Sequence, residues 1–222
     1  DQRAVDSLVA QLGQAESDEV RASIAVALGR IGDQRAVDSL MAQLSQVESD
    51  EARASIAWAL GQIGGERAVD SLMAQLSQVE SFEVRFSIAW ALGQIGGERA
   101  VDSLVAQLSQ AESDEVRFSI AEALGRIGDE RAVDSLVAQL GQVERNEVRA
   151  SIAVALGQIG SIKGIKGLIT VLESTSLQFV NDRYQRMCDW AYETILEIEA
   201  KHQTDPGQEI LKPSKPIKGP WS

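Results

Sequence analysis

The feature that most constrains this sequence is a unit of 32 residues that occurs five times in succession. Residues 33–64 and 65–96 are identical at 27 of 32 positions. A fixed period of this length indicates an architecture in which each unit stacks on its neighbours. The hexapeptide Arg-Ala-Val-Asp-Ser-Leu marks the units at Arg3, Arg35, Arg67, Arg99 and Arg131. We divide the chain into five repeats over 1–160, a divergent C-terminal capping repeat over 161–205, and an extended, proline- and lysine-rich tail over 206–222.

Each repeat has the hydrophobic pattern of two amphipathic helices. In the third repeat, Leu72 and Leu76 lie on the apolar stripe of a helix predicted over 67–78. A polar turn with Ser81 as the expected N-cap leads into a second helix, which Gly96 ends in a left-handed conformation. A two-helix unit cannot bury its stripe alone. The pattern therefore predicts an all-α, right-handed α-solenoid of about twelve helices.

Two residue types recur inside the second helices. A glycine there costs about 1 kcal/mol relative to alanine, so its recurrence predicts a close approach between helices that leaves no room for a side chain. These glycines are Gly29, Gly61, Gly93, Gly125 and Gly157. The arginines are Arg21, Arg53, Arg85, Arg117 and Arg149. We expect each arginine to pair with an acid of the same or the adjacent repeat, for example Arg85 with Asp70 or Glu83.

Composition excludes several classes of function. The net charge of −12 argues against nucleic acid as a partner, because phosphate binding needs clustered Lys and Arg. No apolar run approaches the roughly 20 residues of a membrane span, and we expect a cytoplasmic protein without membrane contact. One cysteine, Cys188, and one histidine, His202, leave no unique reactive centre. The sequence predicts no enzyme: no catalytic residue, metal site or cofactor.

The positions that differ between repeats lie at steps of four residues on one ridge of the second helix. Trp90 is about 200° from Ile88 and Leu92, so we expect the ridge to point away from the core and to be exposed. Adjacent exposed aromatic side chains mark binding surfaces. The predicted partner-binding residues are Trp58, Phe82, Phe86, Trp90, Phe118, Glu122 and Arg126. The alternative is variation on a tolerant face, or packing between neighbouring second helices.

One motif connects the chain to known repeats: Val-Arg-x-Ser-Ile-Ala-x-Ala-Leu-Gly-x-Ile-Gly-x-x-Arg-Ala-Val, as at residues 84–101. It resembles the HEAT-like repeats of phycobilin lyase subunits, and this resemblance covers residues 1–172. The motif is also similar to artificial alphaRep binders, in which the matching ridge positions are varied on the concave face. Residues 181–190 resemble the end of HEAT-bearing cyanobacterial signalling ATPases of the NACHT type.

These resemblances, together with the aromatic ridge, imply a non-catalytic scaffold that binds a protein or peptide on the concave face of the second helices. Its setting would be the recognition part of a larger signalling protein. Two alternatives stay open. One is a phycobilin-lyase-type subunit that holds a tetrapyrrole or its acceptor protein. The other is an engineered repeat binder.

The tail over 206–222 differs from the repeats in charge and shape. It carries three lysines and one acid, whereas residues 1–160 carry 13 arginines and 25 acids. Its four prolines favour an extended, polyproline-like strand. We predict that the tail docks in an acidic, aromatic-lined groove of its own or a neighbouring molecule, with Trp221 near Trp58 or Trp90. The docking residues are Leu211, Lys215, Ile217, Lys218 and Trp221. The alternative is an unattached tail.

Overall fold

The computed structural model describes residues 2–140, 142–143, 145–161 and 164. Within these ranges all regular structure is helical, which confirms the all-α prediction. Apart from Ser161 and Gly164, the capping repeat predicted over 161–205 lies outside the described residues, and so does the tail. The helices are α1 (Gln2–Gln14), α2 (Asp18–Ile31), α3 (Val37–Gln46), α4 (Asp50–Ile63), α5 (Glu66–Leu76), α6 (Phe82–Ile95), α7 (Gly97–Gln110), α8 (Asp114–Ile127), α9 (Val133–Leu140) and α10 (Asn146–Ile159).

The helices form two layers, and each repeat contributes one helix to each layer. Helices α2, α4, α6, α8 and α10 pack side by side as a second-helix layer, and the odd-numbered helices form a first-helix layer. The core lies between the layers, where leucines of the repeated hexapeptide such as Leu40, Leu72, Leu104 and Leu136 are fully buried. This stacking is the predicted α-solenoid. In the described part of the chain, no helix is both long enough and apolar enough to cross a membrane.

Helix ends follow from two kinds of linker between repeats. Asp33 and Asp129 accept hydrogen bonds from the main-chain N–H two residues on, and each begins a short 3₁₀ turn before the next helix. The other linkers are Gly-Gly pairs with positive φ, such as Gly64 and Gly65 (77° and 100°), and they lead directly into an α-helix. Glycine adopts these angles without steric cost. The predicted first helix of the third repeat, 67–78, is observed as Glu66–Leu76.

The arginines of the second helices do not form one uniform ladder. Arg21 and Arg117 pair with the aspartate three residues earlier, at 2.6 and 2.8 Å. Arg85 is buried and donates to main-chain carbonyls of the preceding loop. The prediction that Asp70 or Glu83 pairs with Arg85 is therefore wrong. The reason is local: the third repeat has Phe82 at the position where Arg21 and Arg117 find an aspartate, so the Arg85 guanidinium donates to the backbone instead.

A ladder between repeats lies instead on the first-helix layer, and sequence reasoning missed it. The arginine of each repeated hexapeptide pairs with the aspartate of the hexapeptide before it. The pairs are Arg35–Asp6, Arg67–Asp38 and Arg99–Asp70, all at 2.7 Å, and Arg131–Asp102 at 3.4 Å. These side chains are largely exposed, so solvent screening leaves each pair only a small contribution to stability.

The first repeat exposes core-type positions that later repeats bury. Val20 is 48% exposed, whereas Val84 and Val116 at the equivalent positions are 0% and 6% exposed. Ile31 is 45% exposed, against 8% for Ile63. The second-helix layer therefore has an open edge at α2 in the described structure.

Candidate partner-binding face

The predicted binding residues lie on three adjacent helices of the second-helix layer, as the repeat register requires. Trp58 is on α4, Phe82, Phe86 and Trp90 are on α6, and Phe118, Glu122 and Arg126 are on α8. These residues lie at intervals of four along their helices. We call this row of positions, together with the equivalent positions on α2 and α10, the second-helix ridge. The structure divides the ridge into three parts with different surroundings.

The first part is an exposed pair of phenylalanines at the start of α6. Phe82 and Phe86 are 61% and 42% exposed. Their rings are stacked, with centroids 6.4 Å apart and planes inclined by 27°. That separation lies within the range of favourable aromatic pairs. The prediction that Phe86 is exposed is confirmed.

The second part is a stacked pair of indoles. The rings of Trp58 and Trp90 have centroids 6.4 Å apart and are nearly parallel, at 11°. Both side chains are only partly exposed and pack against the hydrophobic core. The prediction that Trp58 and Trp90 are substantially exposed is wrong. The two rings pack between neighbouring second helices, as the alternative interpretation described.

The recurrent glycines explain why the indoles are covered. A Cβ atom placed on Gly29 would lie 2.8 Å from the Cα of Ala59 and 2.9 Å from Cζ3 of Trp58. A Cβ on Gly61 would lie 2.7 Å from the Cα of the equivalent alanine and 3.3 Å from Cζ3 of Trp90. The prediction of a close helix approach at these glycines is confirmed. Because the backbones nearly touch, a ridge side chain lies down over the glycine of the preceding repeat instead of projecting into solvent.

The contact between α6 and α8 differs from those on either side. A Cβ on Gly93 would meet the side chain of Arg126, with Cδ at 2.5 Å and Cβ at 3.1 Å, rather than an alanine backbone. The aliphatic part of Arg126 thus covers Gly93 while the residue as a whole remains exposed. Phe118 is partly buried on the same helix, so the expectation of substantial exposure is wrong for Phe118 as well.

The third part of the ridge is a cleft between α8 and α10, with a volume of about 180 Å³. Its lining residues are Phe118, Glu122, Arg126, Ser151, Val154, Ala155 and Gln158. The cleft brings together three of the predicted binding residues with four from α10 that the prediction did not include. Val154 and Gln158 are on the same ridge register, but their small or neutral side chains gave no signal in the sequence.

The charged groups of this cleft are Glu122 and Arg126. Burial raises the pKa of the Glu122 carboxyl above its ordinary value of 4.5, and the nearby positive charge of Arg126 opposes that rise. The Glu122 carboxylate is thus partly desolvated in a cleft that Phe118 also lines. Among the residues the structure describes, no group of three His, Cys, Asp or Glu side chains is arranged to hold a metal ion. The predicted docking residues of the tail, from Leu211 to Trp221, lie outside the described ranges.

Comparisons with known proteins agree with the architecture. Residues 37–123 and 101–183 match HEAT repeats, and residues 20–46 match the PBS lyase HEAT-like repeat. No curated protein matches the sequence significantly.

Two solved structures are similar at 20% identity. Human deoxyhypusine hydroxylase in complex with glycerol has a TM-score of 0.41, covering 88% of this chain and 89% of that chain. The complex of CpcE and CpcF of phycocyanin lyase from Nostoc sp. PCC7120 has a TM-score of 0.46, covering 87% and 94%. Likeness at this level carries no argument about activity.

Proposed function

This chain belongs to the HEAT-repeat family, and on that premise we propose that it is a non-catalytic scaffold that binds a protein or peptide through its second-helix ridge. The observation that carries the proposal is the exposed Phe82–Phe86 pair. A single exposed apolar residue needs no explanation. Two stacked phenylalanines beside a second aromatic pair are a different case, because contiguous aromatic surface is typical of interface centres.

The two aromatic pairs have different roles in this proposal. Phe82 and Phe86 contact the partner directly, because they are the exposed members of the ridge. Trp58 and Trp90 support the surface from beneath, because their indoles are held over glycines of the preceding helices. Charged groups stand on the side of the ridge toward α8, where Arg126 is exposed. An aromatic centre with charges at one margin suits a peptide that carries an apolar anchor and flanking polar residues.

The test is a selection of peptides from a random library against the full chain, followed by affinity measurement of the best binder. The double substitution Phe82→Ala/Phe86→Ala should weaken binding at least tenfold, because truncating aromatic anchors typically costs 2 kcal/mol or more. Val20→Ala/Ile31→Ala is the matched control, since these side chains are 48% and 45% exposed but lie outside the ridge. Equal loss in both variants, or loss in the control alone, would refute the proposal. Circular dichroism checks that each variant is folded.

A role in holding a tetrapyrrole is the second candidate. The cleft between α8 and α10 favours it, because Phe118 offers an aromatic wall and Arg126 a guanidinium suited to a carboxylate. Small-molecule pockets usually enclose about 300–1,000 Å³, so this cleft, at about 180 Å³, suits only part of such a ligand. Adding phycocyanobilin and recording the absorbance spectrum separates the two candidates. A shift that Arg126→Ala abolishes would favour the tetrapyrrole role, and an unchanged spectrum would favour the peptide-binding scaffold.

A further inference from the structure

The side chain at one ridge position differs in size from repeat to repeat, and the space left in the groove between neighbouring second helices differs with it. The equivalent residues are Val26, Trp58, Trp90, Glu122 and Val154. Where the residue is tryptophan, its indole lies over the glycine of the preceding repeat. Where it is Val154, the side-chain amide of Gln158 lies over the glycine of the preceding repeat, Gly125, and a cleft between α8 and α10 is present beside it.

We propose that this cleft is a seat for a tryptophan side chain, and that its occupant is Trp221 of the chain's own C-terminal segment 206–222. The proposal goes beyond the binding of a partner at Phe82 and Phe86, because it concerns a different helix pair and an internal ligand. Other grooves between second helices of this chain indicate which side chain fits such a cleft. At two other contacts of the same layer, with nearly the same sequence, the side chain that fills the groove is an indole.

The lining of the cleft matches the chemistry of an indole. Phe118 and Val154 provide apolar walls, and Phe118 can stack with an aromatic ring. The indole N–H is a donor only, so a buried indole needs an acceptor. The partly buried carboxylate of Glu122 and the amide oxygen of Gln158 are acceptors at the cleft. The hydroxyl of Ser151 already donates to a main-chain carbonyl of its own helix, at 3.0 Å.

Charge and chain length favour the C-terminal segment as the occupant. Residues 206–222 carry a net charge of +2, whereas residues 1–160 carry −12. A chain of 17 residues can span at most about 50 Å, and further residues connect this segment to the fifth repeat. The cleft is formed by the fourth and fifth repeats, which are the described repeats closest in sequence to that segment. The packing favours this seat over Trp58 and Trp90, because those two rings already cover each other.

The experiment uses the full chain with Trp221→Ala, so that its own tail does not compete strongly for the seat. A synthetic peptide with the sequence of residues 206–222 is titrated into it by isothermal calorimetry. We expect binding, and at least a tenfold weaker affinity for the same peptide with alanine in place of its tryptophan. This peptide substitution leaves the folded chain untouched, so its result does not depend on the stability of any variant.

Substitutions in the chain locate the seat. Val154→Trp fills the cleft from within and should weaken binding of the peptide at least tenfold, whereas the matched control Val26→Trp, at the equivalent position of the first repeat, should leave the affinity unchanged. Glu122→Gln removes a charged acceptor and should weaken binding several-fold. Thermal unfolding checks that each variant is folded.

The outcomes that overturn the inference differ from those that overturn the proposed function. No binding of the peptide, or binding that neither its tryptophan substitution nor Val154→Trp weakens, would refute the seat. Loss of peptide binding in Phe82→Ala/Phe86→Ala with full retention in Val154→Trp would place the tail on the exposed phenylalanines and would also refute it. The proposed function is decided separately, by the library-selected binder and the same phenylalanine variant.

Discussion

The contact between α4 and α6 and the contact between α8 and α10 have nearly the same backbone arrangement and different surfaces. In both, a glycine of one helix meets the Cα of an alanine on the next, where a Cβ would approach to 2.7 Å at Gly61 and 2.8 Å at Gly125. Between α4 and α6 the groove beside this contact is filled by Trp90, which stacks on Trp58. Between α8 and α10 a valine takes the equivalent position and a cleft of about 180 Å³ is present.

This difference shows how a repeat protein can keep the same helix stacking while the surface of each groove changes. The glycine–alanine contact sets the distance between helices and is shared by both grooves. The ridge residue beside it then decides whether the groove contributes packing or offers space. Because the ridge residue is not needed to form the helices, it can change from one repeat to the next while the stacking persists.

The largest effect should come from breaking the backbone contact itself. We expect Gly61→Val to lower the free energy of unfolding by about 3 kcal/mol, because the new side chain meets main-chain atoms that cannot move aside. Urea denaturation followed by circular dichroism measures the change. Gly13→Ala is the control: nothing lies within 4 Å of the added Cβ, so the free energy of unfolding should stay equal or rise slightly. Equal destabilisation in both would contradict the importance of the close approach.

The next effect distinguishes the filled groove from the exposed pair. Trp90→Ala should lower the free energy of unfolding by about 2 kcal/mol, because a partly buried indole and its stack on Trp58 are lost. Phe86→Ala should cost less than about 1 kcal/mol, because its ring is 42% exposed. Equilibrium denaturation of the two variants under the same conditions provides the comparison. A smaller loss for Trp90 than for Phe86 would show that the indole contributes no packing.

Filling the open groove should have a smaller effect of the opposite sign. In the Trp221→Ala background, Val154→Trp should raise the free energy of unfolding by about 1 kcal/mol, because the new indole buries apolar surface in an existing cleft. Differential scanning calorimetry measures the gain as a higher Tm. A loss of stability of similar size would mean that the cleft between α8 and α10 is not shaped like the groove that Trp90 fills.

The smallest effect concerns the charge in the cleft. Burial raises the pKa of Glu122, so its ionised form destabilises the fold: the penalty is absent below the ordinary value of 4.5 and complete above the raised pKa. Glu122→Gln, in the Trp221→Ala background, should therefore raise the free energy of unfolding slightly at pH 7, with the gain vanishing as the pH falls towards 4. Unfolding curves across this range test the sign. A gain that persists at pH 4 would point to a cause other than ionisation.

Much of the fold was predictable because the same pattern of apolar residues and glycines occurs in five successive repeats. The period of 32 residues and the leucine stripes indicated helix pairs, and the glycines indicated their close approach. The pairing of Arg85 was predicted wrongly, because the third repeat lacks the aspartate that pairs with Arg21 and Arg117, and the Arg85 guanidinium donates to the backbone. The arginine ladder of the first helices was missed, because pairs 29 residues apart in sequence meet only after the repeats stack.

The candidate face was predicted in part. The ridge register correctly placed Phe82, Phe86, Trp58 and Trp90 on neighbouring helices. Helical angle alone suggested that all the ridge aromatics are exposed, which holds for Phe82 and Phe86 and fails for Trp58, Trp90 and Phe118. The angular position of a residue on its helix describes that helix in isolation, whereas the exposure of its side chain also depends on the neighbouring helix.

The amino-acid sequence by itself determined the helices, their order and the residues that vary, because these follow from periodicities along one chain. Only the tertiary structure decided which varied residues pack and which remain accessible. The physical reason is the distance between second helices. Where two backbones touch at a glycine, a tryptophan at the ridge position lies over that glycine, whereas with Val154 at that position a cleft is present between α8 and α10.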